Sequence, residues 1–397
     1  GVGIALPQDA LAAATNPAGM VWVGNRVDFG ADLFRPVRTA TLSAGFGTQG
    51  DYSGNADSVF LIPEFGYNLM LGSTSSVGVS VYGNGGMNTN YQDYNTRNPT
   101  ATAANFGTGP LGVDLIQLFI APTYAVKVTP NHSLGVSLNL VYQRFKADGI
   151  QGFAGFSSVG VNGLSNVGYD SSTGYGLKFG WTGKVSPDVT VGATYQTKTK
   201  MGKFSKYAGL FAEQGGFDIP ETYGLGIAVK ANPKMTIAAD VQQINYSKVP
   251  SIANPISNLA TLCTPGATSG VGVGCLGGSS GAGFGWKDMT IFKLGMDYQY
   301  DQNLVLRGGV SFAKQPIPST ETRFNIVAPA VVENHLTLGA TWTLASKSEL
   351  TVGYMHAFSK TLVGTGTLTS GARLQGEGTN LKMSQDSIGV AYGWKLQ

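Results

Sequence analysis

Apolar residues recur at every second position along much of the chain, with small or polar residues between them. In the stretch that begins at His132, one face carries the apolar series Leu134, Val136, Leu138, Leu140 and Tyr142. Near the C-terminus the same spacing recurs in Ile388, Val390, Tyr392, Trp394 and Leu396. A period of two predicts β-strands that have one apolar face and one small or polar face.

The connections between these stretches predict an all-β chain of about fourteen antiparallel strands. Short connections, such as 129–133 and 186–189, carry the Pro, Asn, Asp and Ser residues that tight turns favour. Long glycine-rich connections, such as 147–172 and 246–287, alternate with them. The predicted strands are 27–37, 58–70, 75–92, 113–128, 132–147, 173–185, 188–199, 220–231, 234–246, 288–300, 303–313, 335–345, 349–360 and 384–396.

Short turns at one end and long loops at the other are typical of a multi-pass transmembrane β-barrel in the bacterial outer membrane. We therefore expect outer-membrane lipid, or detergent after extraction, to surround the apolar faces. A soluble β-sandwich is the alternative. Charged residues make up 12% of the chain, about half the usual share, which leaves little charge to solvate a surface and favours the barrel.

Composition and charge exclude other classes of protein. No apolar run approaches the roughly 18 residues of a membrane helix. The net charge of +3 comes from scattered residues, so we expect no nucleic-acid partner. The segment at Gly1 is not a charged and apolar leader, so we expect any export signal to have been removed or to precede this sequence.

Residues 1–26 precede the first predicted strand and lack its alternation. Within them lies a shaped kink: Asn16 can bond to nearby backbone, Pro17 fixes its own φ, Ala18 follows, and Gly19 tolerates positive φ. A barrel of about fourteen strands is too wide for its own side chains to fill, so water or a plug must occupy its lumen. We therefore predict a plug of residues 1–26 and a barrel of residues 27–397.

Cys263 and Cys275 lie in the long connection between predicted strands nine and ten. Their spacing differs from the paired cysteines of zinc sites. We expect a disulfide, with two free thiols as the alternative. A disulfide would stabilise the loop by about 3 kcal/mol in the chain-entropy model and would indicate an oxidising compartment.

The N-terminal stretch "GVGIALPQDALAAATNPAGM" resembles the hatch of the FadL/TodX family of outer-membrane transporters for long-chain fatty acids and other hydrophobic compounds. The similarity extends through "NLVYQRFKADG", "TYQTKTKMGKF", "GWKDMTIFKLGMDYQYDQN" and "QPIP", and so covers most of the chain. The Asn16-Pro17-Ala18 triplet is common by itself, but its position before fourteen strands is not. The resemblance implies a monomeric fourteen-stranded barrel, an N-terminal hatch in the lumen and a kinked third strand with a side opening.

The third predicted strand loses its apolar alternation at Gly83, Asn84, Gly85 and Gly86. Consecutive glycines weaken pairing and allow a bulge. With the family resemblance, this stretch indicates a lateral opening towards the membrane, although the start of a loop would explain the same residues. We expect residues around Asn16 to bond to the backbone groups freed by such an opening.

Two long loops are unusually apolar, which marks them as candidate binding surfaces. In the FadL/TodX family the corresponding loops form a groove that first captures the ligand. The predicted capture residues are Phe153, Phe156, Leu164, Phe204, Leu210 and Phe211. The alternative is that these side chains pack the two loops against each other, and both interpretations are compatible.

The family's fatty-acid transporter uses basic side chains in its internal pocket, but the matching positions here are Gly149 and Ala282. The basic residues nearby in sequence are Arg144, Lys146 and Lys287. We expect them to replace the missing headgroup ligands, since basic side chains suit a carboxylate. Solvated charges facing the lumen are the alternative interpretation.

No catalytic, cofactor or metal site is predicted. The three histidines, His132, His335 and His356, are scattered along the chain, which argues against a Ser-His-Asp arrangement or a metal cluster. The glycines of "SGVGVGCLGG" lack the Lys-Ser/Thr and helix of a phosphate-binding loop.

The predicted function is passive transport of hydrophobic small molecules, foremost long-chain fatty acids or related lipids. The predicted route is capture at the loops, internal binding, rearrangement of the hatch and lateral exit. Uptake of aromatic or aliphatic hydrocarbons, or export of fatty-acid derivatives, would suit the same scaffold. A general porin for polar solutes is the alternative of another class, and a barrel enzyme is a third; conductance and lipid hydrolysis distinguish them.

Overall fold

The computed structural model of the chain describes residues 2–99, 105–366 and 375–396. In these ranges fourteen long strands, numbered here in chain order, and two short strands form one antiparallel sheet. The long strands are β1 Arg26–Leu42, β2 Phe60–Leu71, β3 Ser75–Tyr91, β4 Leu111–Thr129, β5 His132–Asp148, β6 Asp170–Ser186, β7 Val189–Gln196, β8 Thr222–Asn232, β9 Met235–Ile244, β10 Met289–Gln299, β11 Leu304–Ala313, β12 Asn334–Thr343, β13 Glu349–Leu362 and β14 Thr379–Lys395.

The sheet closes on itself to form a barrel. β1 pairs with β14 along its whole length, from Arg26 opposite Lys395 to Leu42 opposite Thr379. Every other long strand pairs with its neighbours in the chain. Closure satisfies backbone groups that would otherwise face hydrocarbon. The predicted antiparallel barrel of fourteen strands is confirmed.

The strand boundaries lie within three residues of the prediction, except that β1 ends five residues later and β14 begins five residues earlier than predicted. β1 continues past 37 to Leu42, since its last residues pair with the short strand Gly50–Ser53. β7 ends at Gln196 instead of 199. The chain then leaves the register, and the short strand Lys200–Met201 pairs with the upper part of β6.

The predicted alternation holds along β5. The outward series from Leu134 to Tyr142 has relative exposures of 36–47%. The inward residues Ser133, Ser137 and Asn139 are fully buried. The sheet therefore presents apolar side chains outwards and small polar side chains to the lumen, as a membrane barrel requires.

The helices are short turns in the N-terminal segment and in the loops, and none of those described forms part of the barrel wall. In the described ranges none is long and apolar enough to cross a membrane. The α-helical turns are Ala12–Thr15, Tyr94–Arg97, Ala212–Gly215, Pro250–Ala253 and Asn258–Thr261. The 3-10 turns are Pro17–Trp22, Gln151–Phe156, Val161–Gly163, Ser205–Tyr207, Tyr246–Lys248, Ser319–Glu321 and Phe324–Ile326.

The segment of residues 2–25 contacts strands on opposite sides of the barrel. The Gly3 amide donates to the Asp240 carboxylate on β9 at 2.9 Å. The Ala10 amide donates to the Asp28 carboxylate on β1, also at 2.9 Å. Because β1 and β9 lie about half a turn apart in a ring of fourteen strands, the segment crosses the lumen.

The largest buried apolar cluster lies under the long loops and joins them to the inward faces of β4 and β5. It includes Leu115, Phe145, Phe204, Leu259 and Ile326. Smaller clusters, such as that of Met20 with Ala125, surround the N-terminal segment. The upper lumen is therefore filled by folded loops and the lower lumen by residues 2–25.

A disulfide joins Cys263 and Cys275 in the loop between β9 and β10, with Cα atoms 4.7 Å apart. Both cysteines are buried against neighbouring loops. The two cysteines are 12 positions apart in the sequence. Their disulfide restricts the loop that packs over the upper lumen.

Candidate functional site

An apolar cavity of about 50 Å³ lies in the upper lumen. Side chains from the wall and from five loops converge on it. Its lining residues are Phe106, Val113, Phe145, Ile150, Phe153, Leu164, Leu210, Phe211, Ser251, Leu276, Ala282, Gly283, Phe284, Phe324 and Val327.

Aromatic contacts hold the cavity lining in place. The ring of Phe145, which points inward from β5, lies 4.7 Å from that of Phe211 between centroids. Phe153 contacts Phe324 at 5.1 Å and Phe106 at 5.3 Å. Tilted and edge-to-face pairs of this kind stabilise packing beyond the area they bury. The loops therefore form a shaped wall of the cavity.

Ser251 has the one polar side chain among the residues that line the cavity. Its hydroxyl donates to the Gly216 carbonyl, so its proton is already used. The lining thus resembles a hydrocarbon solvent, and it favours the apolar part of a ligand over water.

The predicted capture residues are not an exposed surface, because they fold inward and pack together. Phe153, Leu164, Phe204 and Phe211 are all buried. Of the six, Phe153, Leu164, Leu210 and Phe211 line the cavity, whereas Phe156 and Phe204 pack behind the lining. The alternative in which the loops pack against each other therefore describes the geometry, and the same packing encloses the cavity.

Pairing between β2 and β3 stops halfway up the wall. It runs from Leu71 opposite Ser75 to Phe65 opposite Val81, and the rest of β3 has no ladder with β2. Pro63 on β2 lacks the N–H group that further pairing would use. The upper edges of β2 and β3 therefore part.

Gly83 to Gly86 lie on this parted edge of β3 and are exposed. On its other side β3 stays paired with β4, with a bulge between Gly83 and Gly85. The structure thus places the predicted irregularity inside a strand and not at the start of a loop. The break in the wall lies between β2 and β3.

The parted strands frame a second cavity of about 650 Å³. Its frame includes Phe60, Asn88, Asn90 and Asp114, so it is more polar than the apolar cavity. We call it the wall opening. Val113 is among the lining residues of both the wall opening and the apolar cavity, so the wall at this residue is what separates the two spaces.

Buried Arg38 holds the upper rim of the wall opening in place. The sequence pattern did not indicate this role. The Arg38 guanidinium donates to the carbonyls of Gly54 and Asp57 at 2.7 and 2.8 Å and to the Asn88 side chain at 3.1 Å. These bonds tie the chain after β1 to the upper part of β3, so the opening has a fixed upper rim.

Two hydrogen bonds attach the loop between β11 and β12 to the inward face of β3. Thr89 donates to the Val327 carbonyl at 2.8 Å. Tyr91 donates to the Ile326 carbonyl at 2.9 Å. Since Val327 lines the apolar cavity, these bonds separate the cavity from the wall opening in this conformation.

The three predicted headgroup residues do not face the apolar cavity. Arg144 and Lys146 continue the outward series of β5; Arg144 lies 3.7 Å from Asp114 and Lys146 lies 2.8 Å from Asp148. Lys287 is exposed in its loop. The period of two turns both β5 side chains away from the lumen, and Lys146 is among the residues that frame the wall opening. A headgroup role for these residues stays a prediction.

Asn16 orders the N-terminal segment. The expected bond from Asn16 to the backbone at Gly83–Gly86 is not present among the described residues. The side-chain amide of Asn16 donates to the carbonyls of Ile4 at 2.7 Å and Trp181 at 3.0 Å, and its side-chain oxygen accepts from the Ala18 amide. Pro17, Ala18 and Gly19 are buried beside it. The kink therefore packs against β6.

Comparisons with known proteins agree with this geometry. Residues 2–393 match a family described as outer membrane protein transport protein, OMPP1/FadL/TodX. No curated protein shows a significant match.

Among solved structures, the Pseudomonas putida toluene transporter TodX is 17% identical, with a TM-score of 0.68 over 98% of this chain and 94% of that one. A Pseudomonas aeruginosa FadL homologue is 14% identical, with a TM-score of 0.69 over 100% and 96%. The Ralstonia pickettii toluene transporter TbuX is 17% identical, with a TM-score of 0.65 over 100% and 97%. At these identities the solved structures establish a shared fold.

Proposed function

Because the chain belongs to the OMPP1/FadL/TodX family of outer-membrane transport proteins, we propose that it carries hydrophobic small molecules passively across the outer membrane. The observation that carries this proposal is that the apolar cavity and the wall opening share Val113 in their linings. A ligand held in the cavity would leave sideways into the membrane past that residue once the bonds of Thr89 and Tyr91 to the loop at 326–327 break.

The cavity provides the driving force for capture. Each methylene group buried against the apolar lining stabilises a bound ligand by about 0.8 kcal/mol, and because the cavity measures about 50 Å³ in this conformation, a long chain would also have to displace the loops. Release then requires motion, because a cavity that held this affinity throughout would retain its ligand. The bonds from Thr89 and Tyr91 to the loop at 326–327 are the contacts that such a motion would break.

We assign residues 1–26 as the hatch and residues 27–397 as the barrel. The hydrogen bonds of Gly3 and Ala10 to opposite walls support this division. Lys178 on β6 also donates to the Ala14 carbonyl. A lumen crossed in this way disfavours free passage of polar solutes, so a general porin is the weaker candidate. A large, stable single-channel conductance would favour the porin instead.

Two ligand classes suit the proposal: hydrocarbons, which the apolar lining favours, and long-chain fatty acids. The toluene transporters TodX and TbuX share the fold, and so does a FadL homologue. In either case the cavity lining suits the apolar part of the ligand. We propose that the protein works as a monomer.

A charge placed in the cavity tests the proposal. Leu210→Asp puts an unpaired carboxylate against the lining, which disfavours an apolar ligand. Val159→Asp is the matched control, since Val159 is exposed in a neighbouring loop. Uptake of radiolabelled toluene and laurate is measured in cells that lack other transporters of this family. We expect Leu210→Asp to lower uptake at least fivefold and Val159→Asp to leave it unchanged; equal uptake by both variants would refute the proposal.

A further inference from the structure

A groove of about 840 Å³ lies on the lipid-facing side of the barrel wall, along β5 and β6. Leu138, Leu140 and Tyr175 line it, and they belong to the outward series of these strands, with exposures of 39–64%. Lys200 is the charged residue among those that line the groove. The groove therefore offers a hydrocarbon chain an apolar surface with a cation beside it.

The groove reaches the outer boundary of the membrane. The outward apolar series has its loop end at Tyr142 on β5 and at Tyr175 on β6, and Arg144 takes the next outward position on β5. Aromatic residues mark the interfaces of a membrane barrel, and these two tyrosines lie on the side of the long loops. Lys200 pairs with Tyr175 in the sheet, so this lysine lies at the level of the lipid headgroups in the outer leaflet.

Lys200 and the nearby Lys203 are cations without an internal partner. Both are exposed, and neither forms an ion pair with any residue that the structure describes. The Gly202 amide donates to the Thr173 carbonyl of β6 at 2.8 Å, which holds the segment between the two lysines against the wall. Two positive charges thus stand free at the headgroup end of an apolar groove.

We propose that this groove binds an acyl chain of a phosphorylated glycolipid of the outer leaflet, and that Lys200 and Lys203 bind its phosphate. Cations at a membrane surface attract anionic lipid headgroups, and hydrogen bonds from an ammonium group to a phosphate are charge-assisted. A zwitterionic phospholipid fits less well, because its own ammonium group competes for the phosphate.

The bound lipid would also act on the loop that follows β7. The segment at Lys200–Lys203 leads into that loop, which carries Leu210 and Phe211 to the apolar cavity. A lipid held at the two lysines fixes the start of the loop. The site itself lies outside the barrel, so the inference does not depend on the proposed transport function.

Lipid A and lipid A without its phosphates test this inference, because their acyl chains are the same. Binding of each to the purified protein in a non-ionic detergent is measured by native mass spectrometry. We expect the wild type to bind the phosphorylated form about tenfold more tightly, as two cations beside a phosphate imply. The Lys200→Ala, Lys203→Ala double variant is expected to lose that preference. Lys382→Ala, which removes an exposed cation at the outer end of β14, is expected to keep it.

A second pair of variants tests the groove without changing any charge. Leu140→Trp fills the groove and is expected to weaken binding of both forms of lipid A several-fold. Leu338→Trp is the matched control, because Leu338 is exposed on the lipid-facing side of β12, and it is expected to bind like the wild type. The inference is overturned if the wild type shows no preference for phosphorylated lipid A, if it binds phosphatidylethanolamine equally well, or if the double lysine variant keeps the preference. Equal binding by the two tryptophan variants would also overturn it.

Discussion

At the scale of single residues, Val113 is the residue that the linings of the apolar cavity and the wall opening share. Val113→Phe would enlarge the side chain at this point of the wall. Overpacking of this kind costs about 1–3 kcal/mol, which a closed barrel can tolerate.

Val113→Phe is expected to reduce toluene and laurate uptake at least fivefold, with normal insertion into the outer membrane. Val136→Phe is the control, because Val136 lies on the lipid-facing side of β5. Uptake rates are compared at equal amounts of folded protein, as judged by heat-modifiable migration on gels. Normal uptake by Val113→Phe would show that ligands do not pass this side chain.

The orientation of Arg144 and Lys146 was already present in the sequence. The outward series from Leu134 to Tyr142 reaches both residues if it is continued by steps of two, so alternation predicts that they face away from the lumen. The contact between the rings of Phe153 and Phe324 could not be predicted in this way. It depends on how distant loops fold over the barrel, and a loop has no period to read.

At the scale of elements, β3 combines a paired edge and a parted edge. Its glycines show no strained backbone angle, so their small size is the property that matters. A Cβ at Gly85 would lie 3.0 Å from the Gln117 side chain, which is flexible at that end. A larger residue is therefore accommodated in the wall but fills space beside the opening.

Gly85→Phe is expected to slow lateral exit and reduce uptake several-fold. Gly353→Phe is the matched control, because a Cβ at this glycine of β13 would meet nothing closer than 3.9 Å and β13 lies far from the opening. Both variants are expected to fold and insert. If the two variants transport equally well, the parted edge of β3 is not the exit.

The elements themselves were largely predictable, since period two and turn chemistry act locally. The sequence pattern predicted the fourteen wall strands and the irregular stretch at Gly83–Gly86. It missed the short strand Gly50–Ser53 and the early end of the β2 pairing. Both depend on which strand edges meet in the closed barrel, and only the three-dimensional arrangement determines that.

At the scale of the whole molecule, the protein combines a closed membrane barrel, a lumen crossed by the N-terminal segment and a break in the wall between β2 and β3. We propose that ligands leave through this break. A reversible covalent lock across these strands tests that claim. Ile62 and Gly83 suit such a lock, because a Cβ at Gly83 would lie 3.0 Å from Ile62 Cγ2, which places the two Cβ atoms within about 4.5 Å, in the range of a disulfide.

The decisive measurement is laurate and toluene uptake by the Ile62→Cys, Gly83→Cys double variant, before and after reduction. The wild-type protein receives the same treatment, which controls for reduction of the Cys263–Cys275 bridge. We expect the oxidised variant to lose most of its uptake, reduction to restore it, and the wild type to change little. Uptake by the fully cross-linked variant at the wild-type rate would contradict lateral exit between β2 and β3.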